Sequence, residues 1–187
     1  MRRSEINYAV RSALTFFERN GWVLPPHPAW DVTDFGLGIF RKAGLVLVNL
    51  ATEPEYCEKL MYAWRDQTTP AHYHKRKKED IICRTGELAV TLWKDNPDAF
   101  GSSLQVKVNG EIRTVESGVP VVLKAGERIT ITPSIWHAFY PVSAECIIGE
   151  VSTANDDEHD NFFWDKEIGR FPEIIEDEPA LVKLLKE

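Results

Sequence analysis

Four side chains that commonly bind metal ions are spaced so that they could meet at one point of a β-rich fold: His72, His74, Glu79 and His137. One residue separates His72 from His74, and alternate residues of a strand point to the same face. Glu79 could return across a short turn, and His137 follows the turn-like sequence Thr132-Pro-Ser. Three imidazoles and one carboxylate would bind a divalent ion and leave positions open for water or a substrate. The spacing therefore predicts a metal centre.

A histidine pair of this kind is by itself often a coincidence of surface or core residues. Here Gly86 completes the pattern H-x-H-x4-E-x6-G, and Gly126 and His137 follow downstream. This arrangement resembles the two sequence motifs of the cupin superfamily. The second motif is matched only in part, because Thr132, Ser134 and Pro141 replace the usual proline, glycine and asparagine, and Pro133 is one place late. The metal ligand of that motif, His137, is retained, so the resemblance implies a metal-binding cupin.

Glu150 is a candidate acid/base. It ends the apolar segment Cys146-Ile-Ile-Gly-Glu150, and alternation places its side chain on the same face as Ile148. A carboxylate in that position would lie inside a barrel or at its mouth, where it could accept and return a proton. The alternative is an exposed carboxylate at the end of a strand.

The surrounding pattern predicts one helix followed by many short strands. Apolar residues recur at helical spacing from Ser4 to about Asn20, with Ser4 as a cap and Asn20-Gly21 as a stop. A second short helix could begin near Asp31. From about residue 36 to residue 152 the period changes to two, which predicts strands at Gly44–Leu50, Glu58–Trp64, Asp80–Arg84, Glu87–Trp93, Leu104–Val108, Glu111–Val115, Val119–Leu123, Arg128–Ile131 and Cys146–Val151.

Turn signals between these strands favour an antiparallel arrangement. Asn109-Gly110 between two alternating segments predicts a hairpin. Pro120 predicts either an edge strand or a strand that begins one residue later. Many short strands without intervening helices predict an all-β fold, an antiparallel barrel or jelly roll. The resemblance to the cupin superfamily implies that this barrel is the double-stranded β-helix of the cupins. A short C-terminal helix is expected at Pro179–Lys186.

Composition limits the class of protein. The chain has 187 residues, of which 43% are apolar and 27% charged, as in globular domains, and its formal net charge is −7. We expect one domain, 1–187, with an N-terminal helical region (1–35), a barrel (36–152) and a post-barrel segment (153–187).

An acidic chain without a dense basic block argues against nucleic-acid or membrane partners. No apolar stretch suggests a secretory signal or a membrane span, so we expect a cytoplasmic protein. The three cysteines form no CxxC pair, and Cys83 and Cys146 are expected to fill core volume.

Longer segments resemble one particular cupin group, the D-lyxose isomerase family. The likeness extends from about Gly21 to Glu178 and is carried by Tyr62-Ala-Trp-Arg-Asp-Gln-Thr-Thr-Pro-Ala-His-Tyr-His-Lys-Arg-Lys-Lys-Glu-Asp-Ile-Ile82, Pro133-Ser-Ile-Trp-His-Ala-Phe139, Gly149-Glu-Val-Ser-Thr-Ala-Asn-Asp-Asp-Glu-His-Asp-Asn-Phe-Phe163 and Ile168-Gly-Arg-Phe-Pro-Glu-Ile174. The resemblance implies a Mn²⁺-dependent aldose–ketose isomerase that interconverts D-lyxose and D-xylulose, and often D-mannose and D-fructose. It also implies a homodimer and a catalytic carboxylate at Glu150.

Four further residues are candidates for contact with a sugar. Asp160 and Arg170 could bind hydroxyls or shuttle a proton, and the alternatives are a solvated acid and a surface ion pair. Trp136 and Phe139 flank His137 and could form an apolar wall, although core packing is as plausible for both.

The basic run at 75–78 is expected on an exposed turn, with Lys75 or Arg76 near the pocket entrance. The aromatic residues of the N-terminal region are a candidate dimer interface: Phe16, Phe17, Trp22 and Trp30.

Two other functions fit the same ligand set. Non-haem iron dioxygenases of the cupin superfamily would give Glu150 no required role, and a non-catalytic sugar-binding cupin would bind sugar without turnover. Co²⁺, Fe²⁺, Ni²⁺ or Zn²⁺ could replace Mn²⁺ at these ligands.

Overall fold

The computed structural model describes residues 1–65, 67–156, 159–169, 173–185 and 187. One helix precedes a series of strands. The elements are α1 (Arg3–Arg19), β1 (Ala29–Thr33), β2 (Leu45–Thr52), β3 (Tyr56–Trp64), β4 (His72–Tyr73), β5 (Glu79–Thr85), β6 (Glu87–Trp93), β7 (Ser103–Val108), β8 (Glu111–Glu116), β9 (Val121–Lys124), β10 (Arg128–Ile131), β11 (Trp136–Pro141), β12 (Glu145–Thr153) and β13 (Phe162–Phe163).

Two antiparallel sheets form the barrel. The larger sheet has the strand order β1-β2-β3-β12-β5-β10-β7-β8, and the smaller has the order β13-β4-β11-β6-β9. Apolar side chains from the inner faces of both sheets pack together in one core, which includes Met61, Ile81, Leu88, Leu123 and Ile148. The predicted all-β cupin fold with an N-terminal helix is confirmed.

The turn signals in the sequence are confirmed as well. Strands β7 and β8 form a hairpin through Asn109 and Gly110, whose φ angles are 54° and 86°. These left-handed conformations are the ones that asparagine and glycine adopt most readily, and they match the strand twist. Strand β9 begins at Val121, directly after Pro120, and lies at the edge of the smaller sheet.

Helix α1 packs on the outer face of the larger sheet. Its buried residues, among them Ile6, Val10 and Phe17, meet apolar residues of β1, β2 and β3 in a second core. The helix begins at Arg3 and Ser4 does not cap it, because the Ser4 hydroxyl donates to Asp177 instead. The candidate dimer interface is also used within the chain, since Phe16, Phe17 and Trp30 are buried in this second core and Trp22 packs against it.

Two expected helices are corrected by the structure. The segment around Asp31 is a strand, β1, because its alternating residues pack on α1 on one side while its backbone pairs with β2. At the C-terminus, the described residues of Pro179–Lys186 form no helix. Instead, the Leu185 N–H donates to the Trp30 carbonyl, and Leu184 is buried in the second core. Pairing with β1 and burial of one side chain therefore outweigh the weak helical preference of this segment.

Within the described ranges, no helix has the length and the apolar character that a membrane span requires.

Candidate metal centre

The predicted metal ligands lie together at one end of the barrel. The pairing of β4 with β11 places His72 directly opposite His137. Glu79 is the first residue of β5 in the facing sheet, and His74 follows the end of β4. One donor atom from each of the four residues lies within 4.8 Å of the others. We call this set the ligand cluster: His72, His74, Glu79 and His137.

Backbone hydrogen bonds set the tautomer of each histidine. The Nδ1 atoms of His72, His74 and His137 lie 2.8, 2.5 and 3.0 Å from the carbonyl oxygens of Pro70, Asp160 and Ile135. A carbonyl oxygen only accepts, so each Nδ1 must carry the proton and donate. The Nε2 lone pairs are therefore free to bind a metal, which is the usual arrangement around a metal-ligating histidine.

The inner atoms of the ligand cluster need a cation between them. The Nε2 atom of His137 lies 2.8 Å from Oε1 of Glu79, and Nε2 of His74 lies 3.7 Å from the same oxygen. With the protons on Nδ1, all three atoms are acceptors, and none has a hydrogen-bond partner in the described part of the chain. Buried acceptors this close repel each other unless a positive ion lies between them. The donor set therefore fits a divalent metal ion.

Burial keeps these groups in the protonation states that metal binding requires. Burial lowers the pKa of His74 to about 4, although Glu79 opposes the shift. The pKa of His72 is also well below its usual value, because burial and the neighbouring histidines disfavour the imidazolium. Burial alone would raise the pKa of Glu79, but the positive charge beside it, chiefly the Lys77 ammonium, holds this pKa well below the usual value. His72 and His74 are therefore neutral, and Glu79 is anionic.

A second group of charged residues adjoins the ligand cluster. The Lys77 ammonium lies 2.8 Å from Oε2 of Glu79 and 2.8 Å from Oε1 of Glu150, so it bridges the two carboxylates. The Lys59 ammonium lies 3.7 Å from the same Glu150 oxygen and donates to the Asn155 side chain at 3.0 Å. Burial alone would raise the pKa of Glu150. The ammonium groups of Lys59 and Lys77 lower it by more than burial raises it, so the pKa lies below its usual value and the carboxyl stays ionised. We call Lys59, Lys77 and Glu150 the lysine–glutamate cluster.

The lysine–glutamate cluster and three members of the ligand cluster, His72, His74 and Glu79, line one cavity with an otherwise mainly apolar wall. The apolar side chains come from both sheets and, for Phe35, from the segment that follows β1: Phe35, Leu45, Leu47, Met61, Ile81, Phe139 and Phe163. Polar side chains of Asp31, Thr33, Thr69 and Asn161 line the cavity too. Such a chamber excludes bulk water and offers few, well-placed polar groups to a small polar molecule.

The other predicted contact residues are placed differently. Phe139 is buried and lines the cavity, on the same face of β11 as His137. Trp136 lies on the opposite face of that strand, where its ring packs on Tyr73 and Trp164 with centroids 4.6 and 5.6 Å apart. Strand alternation separates the two aromatic residues, so the expected sugar contact of Trp136 is not supported. Arg170 lies outside the described residues.

Asp160 holds a loop in place. Its carboxylate accepts hydrogen bonds from the backbone N–H groups of Lys75, Arg76 and Lys77, at 2.8 to 3.2 Å. The carbonyl of Asp160 also accepts from His74 Nδ1. These bonds use the oxygens that proton transfer would need and fix the loop that bears Lys77. This placement favours a positioning role over the direct catalytic role expected from the sequence.

Lys59, Lys77 and Asp31 are charged residues of the cavity for which the sequence pattern predicts no role in the site. The basic run at 75–78 was expected on an exposed turn, and Lys75, Arg76 and Lys78 are indeed exposed, whereas Lys77 is only 5% exposed. A signal existed, because Lys77 precedes Glu79 by two residues and therefore points to the same side of an extended segment. Lys59 similarly shares the inner face of β3 with Met61.

The arrangement combines a metal site with an ionised carboxylate in one enclosed space. Glu150 can accept a proton because it is anionic, and the two ammonium groups can donate hydrogen bonds to oxygens of a bound molecule. A metal ion in the ligand cluster would act beside them as a Lewis acid. These parts suit the removal of a proton from a carbon next to a carbonyl.

Comparison with known proteins identifies the group to which the chain belongs. A sequence profile described as D-lyxose isomerase matches residues 27–187. The D-lyxose/D-mannose isomerase of Escherichia coli O157:H7 is 34% identical, with 100% of this chain and 98% of that protein covered. The D-lyxose ketol-isomerase of Cohnella laeviribosi is 31% identical over 93% of this chain and 98% of that protein. Among solved structures, the L-ribose isomerase of Cellulomonas parahominis shares the fold, with a TM-score of 0.72, 18% identity and coverage of 94% and 98% of the two chains. On the strength of the profile match and the full-length relatives, this chain belongs to the D-lyxose isomerase family.

Proposed function

We propose that this chain is a metal-dependent aldose–ketose isomerase that converts D-lyxose to D-xylulose and D-mannose to D-fructose. The observation that carries the proposal is the Lys77 ammonium, which lies 2.8 Å from both Glu79 and Glu150 and so joins the ligand cluster to an ionised carboxylate. The relatives from Escherichia coli and Cohnella laeviribosi, a D-lyxose/D-mannose isomerase and a D-lyxose ketol-isomerase, support the choice of substrates.

The ligand cluster would hold the metal through the Nε2 atoms of its three histidines and the carboxylate of Glu79. We propose Mn²⁺, which accepts nitrogen and oxygen ligands together; Co²⁺, Fe²⁺, Ni²⁺ and Zn²⁺ are alternatives. When bound, the ion supplies Lewis acidity that polarises the sugar carbonyl and stabilises the negative charge that develops on the sugar oxygens.

Glu150 acts as the base and then as the acid. Its carboxylate takes the proton from C2 of the open-chain aldose and returns it to C1, while the hydroxyl proton of O2 passes to O1, so that the carbonyl moves from C1 to C2. Lys59 and Lys77 keep the carboxylate ionised and hold it in one orientation. Phe139 and the other apolar wall residues enclose the space beside Glu150 and the ligand cluster.

A hydride shift between the two carbons would also use the metal. Exchange of the C2 proton with deuterated water during turnover supports transfer through Glu150. Complete retention of the C2 proton would argue for the hydride shift and against the role of Glu150 as a base.

The test is ketose formation by Mn²⁺-supplemented protein from D-lyxose, D-mannose, D-xylose and L-ribose. We expect the fastest turnover with D-lyxose or D-mannose. Glu150→Gln should lower kcat by about 10²- to 10⁴-fold while metal content is retained. Glu111→Gln, on the exposed strand β8, is the matched control and should leave kcat unchanged.

Three outcomes would contradict the proposal. Full activity in Glu150→Gln together with oxygen consumption would indicate a dioxygenase. Sugar binding without turnover by the Mn²⁺-loaded protein would indicate a binding protein. Preferred turnover of D-xylose or L-ribose would leave an aldose–ketose isomerase with a different substrate.

The remaining expectations extend the same proposal. We infer a homodimer that works in the cytoplasm on an unphosphorylated sugar, without nucleic-acid or membrane partners. Sedimentation of the purified chain at twice its mass of 21.3 kDa would support the dimer, and sedimentation as a monomer would refute it.

A further inference from the structure

Asn161 lines the cavity next to the ligand cluster. It directly follows Asp160, whose carbonyl oxygen lies 2.5 Å from Nδ1 of His74. It directly precedes β13, in which Phe163 pairs with His72 of β4. The backbone on both sides of Asn161 is therefore held against two ligands of the cluster, and the side chain has a defined position beside them.

The side-chain oxygen of Asn161 is buried without a hydrogen-bond partner among the described residues. Buried polar atoms are nearly always paired in folded proteins, because an unpaired acceptor loses its bonds to water and gains nothing in return. Among the described residues that line the cavity, the fully buried acceptors without a partner are the inner atoms of the ligand cluster and this oxygen. Its partner should therefore come from a molecule that enters the cavity.

The chemistry of that partner follows from the group itself. A carboxamide oxygen is neutral and accepts one or two hydrogen bonds, so it suits a hydroxyl group and adds no charge beside an anionic cluster. We propose that Asn161 is a substrate-binding residue whose Oδ1 accepts a hydrogen bond from a hydroxyl of the open-chain sugar. The inference rests on the proposed function and adds to it a residue that orients the sugar at the ligand cluster.

A binding role and a structural role predict opposite effects on stability. Without sugar, Asn161 Oδ1 is a cost to the folded state, so replacing the amide by an apolar group of similar size should be neutral or stabilising. If Asn161 had a structural role, the same replacement would lower the Tm. Asn161→Leu therefore separates the two roles before any sugar is added.

The experiment compares Asn161→Leu with the parent chain in three measurements: Tm without sugar, bound Mn²⁺, and affinity for D-arabinitol by calorimetry. D-Arabinitol is D-lyxose with its carbonyl reduced, so it presents the hydroxyls and cannot isomerise. We expect an equal or higher Tm, unchanged Mn²⁺ content, about 10-fold weaker binding of D-arabinitol and about 10-fold lower kcat/KM for D-lyxose. Asn161→Ala, which cannot overfill the site, should show the same loss of affinity.

The matched control is Gln105→Leu. Gln105 is exposed on β7, so the same loss of an amide should leave D-arabinitol affinity unchanged. Unchanged affinity in both Asn161 variants, a fall in Tm with loss of Mn²⁺, or no binding of D-arabinitol by the parent chain would each overturn the inference. Weaker D-arabinitol binding by the variants, with no turnover by the parent chain, would support Asn161 as a sugar ligand and overturn the proposed isomerase activity.

Discussion

Strands β5 and β12 carry opposite chemistry at their two ends. At one end, Glu79 of β5 and Glu150 of β12 belong to the ligand cluster and the lysine–glutamate cluster. Four residues further along the same inner faces, Cys83 and Cys146 lie at the apolar end with their sulfur atoms 4.0 Å apart. All four side chains are buried, so the difference lies in what surrounds them.

The comparison shows how one barrel separates stability from chemistry. Buried charges cost free energy even when they are paired, whereas buried apolar side chains supply most of the free energy of folding. The apolar end, where the free thiols of Cys83 and Cys146 fill core volume as expected, offsets the cost of the charged end. Substitutions at the two ends should therefore affect different observables.

The largest effect is expected at the ligand cluster. His137→Ala removes one of three imidazoles, so Mn²⁺ affinity should fall and turnover should drop by about 10³-fold or more. Metal analysis of the purified protein and a ketose assay measure both quantities. His159→Ala is the control, because this histidine is 76% exposed and pairs with Asp156. Equal activity in the two variants would remove the metal centre from the proposal.

A substitution at the apolar end should lower the stability of the protein and leave its activity nearly unchanged. Leu88 of β6 is fully buried four residues from Leu92, which pairs with His137. Leu88→Ala should lower the free energy of unfolding by about 2 to 5 kcal/mol, while kcat of the folded protein stays close to that of the parent chain. Denaturant unfolding and kinetics at low temperature measure the two quantities. Ile112→Ala, exposed on β8, should change neither. If the fall in kcat of Leu88→Ala, converted to a free energy of activation, were as large as the fall in its free energy of unfolding, the separation of the two ends would be refuted.

Lys77 links the two charged clusters, and its removal should change the pH dependence. Lys77 lowers the pKa of Glu150, and Glu150 must be ionised to accept a proton. In Lys77→Met this pKa rises, so the loss of activity on the acidic side should begin at a higher pH, and kcat should fall by about 10- to 100-fold. A pH–rate profile tests the shift. The neighbouring Lys78 is exposed, so Lys78→Met should keep the pH–rate profile of the parent chain. An unshifted profile in Lys77→Met would count against Glu150 as the base.

The smallest effect is expected at the turn before β11. Ser134 has a φ of 70°, a conformation in which a side chain is strained, and its N–H donates to the His74 carbonyl. Ser134→Gly should relieve the strain and raise the free energy of unfolding by up to about 1 kcal/mol. Thermal unfolding of the metal-free protein measures the change. Ser103→Gly, in the extended strand β7, should be destabilising instead, and the same sign in both variants would show that strain is not the cause.

Much of the fold could be predicted because strand alternation and turn residues are local signals. The hairpin at Asn109-Gly110 and the late start of β9 after Pro120 follow directly from these residues. The sequence does not predict strands β1, β4, β11 and β13: β4 and β13 have two residues each, β11 lacks clean alternation, and β1 lies where a short helix is expected from Asp31. Their pairing comes from partners distant in sequence, as in the register of His72 with His137.

The sequence by itself determined which side chains can bind a metal, since His72, His74, Glu79 and His137 keep the spacing of a known pattern. Only the tertiary structure decided what surrounds them. It buried Lys77 between two carboxylates, turned Trp136 away from the cavity and used Asp160 to hold a backbone loop. The physical reason is that the direction of a side chain along a strand is a local property. The charge that faces it, the burial that shifts its pKa and the partner that satisfies it come from elements far away in the chain.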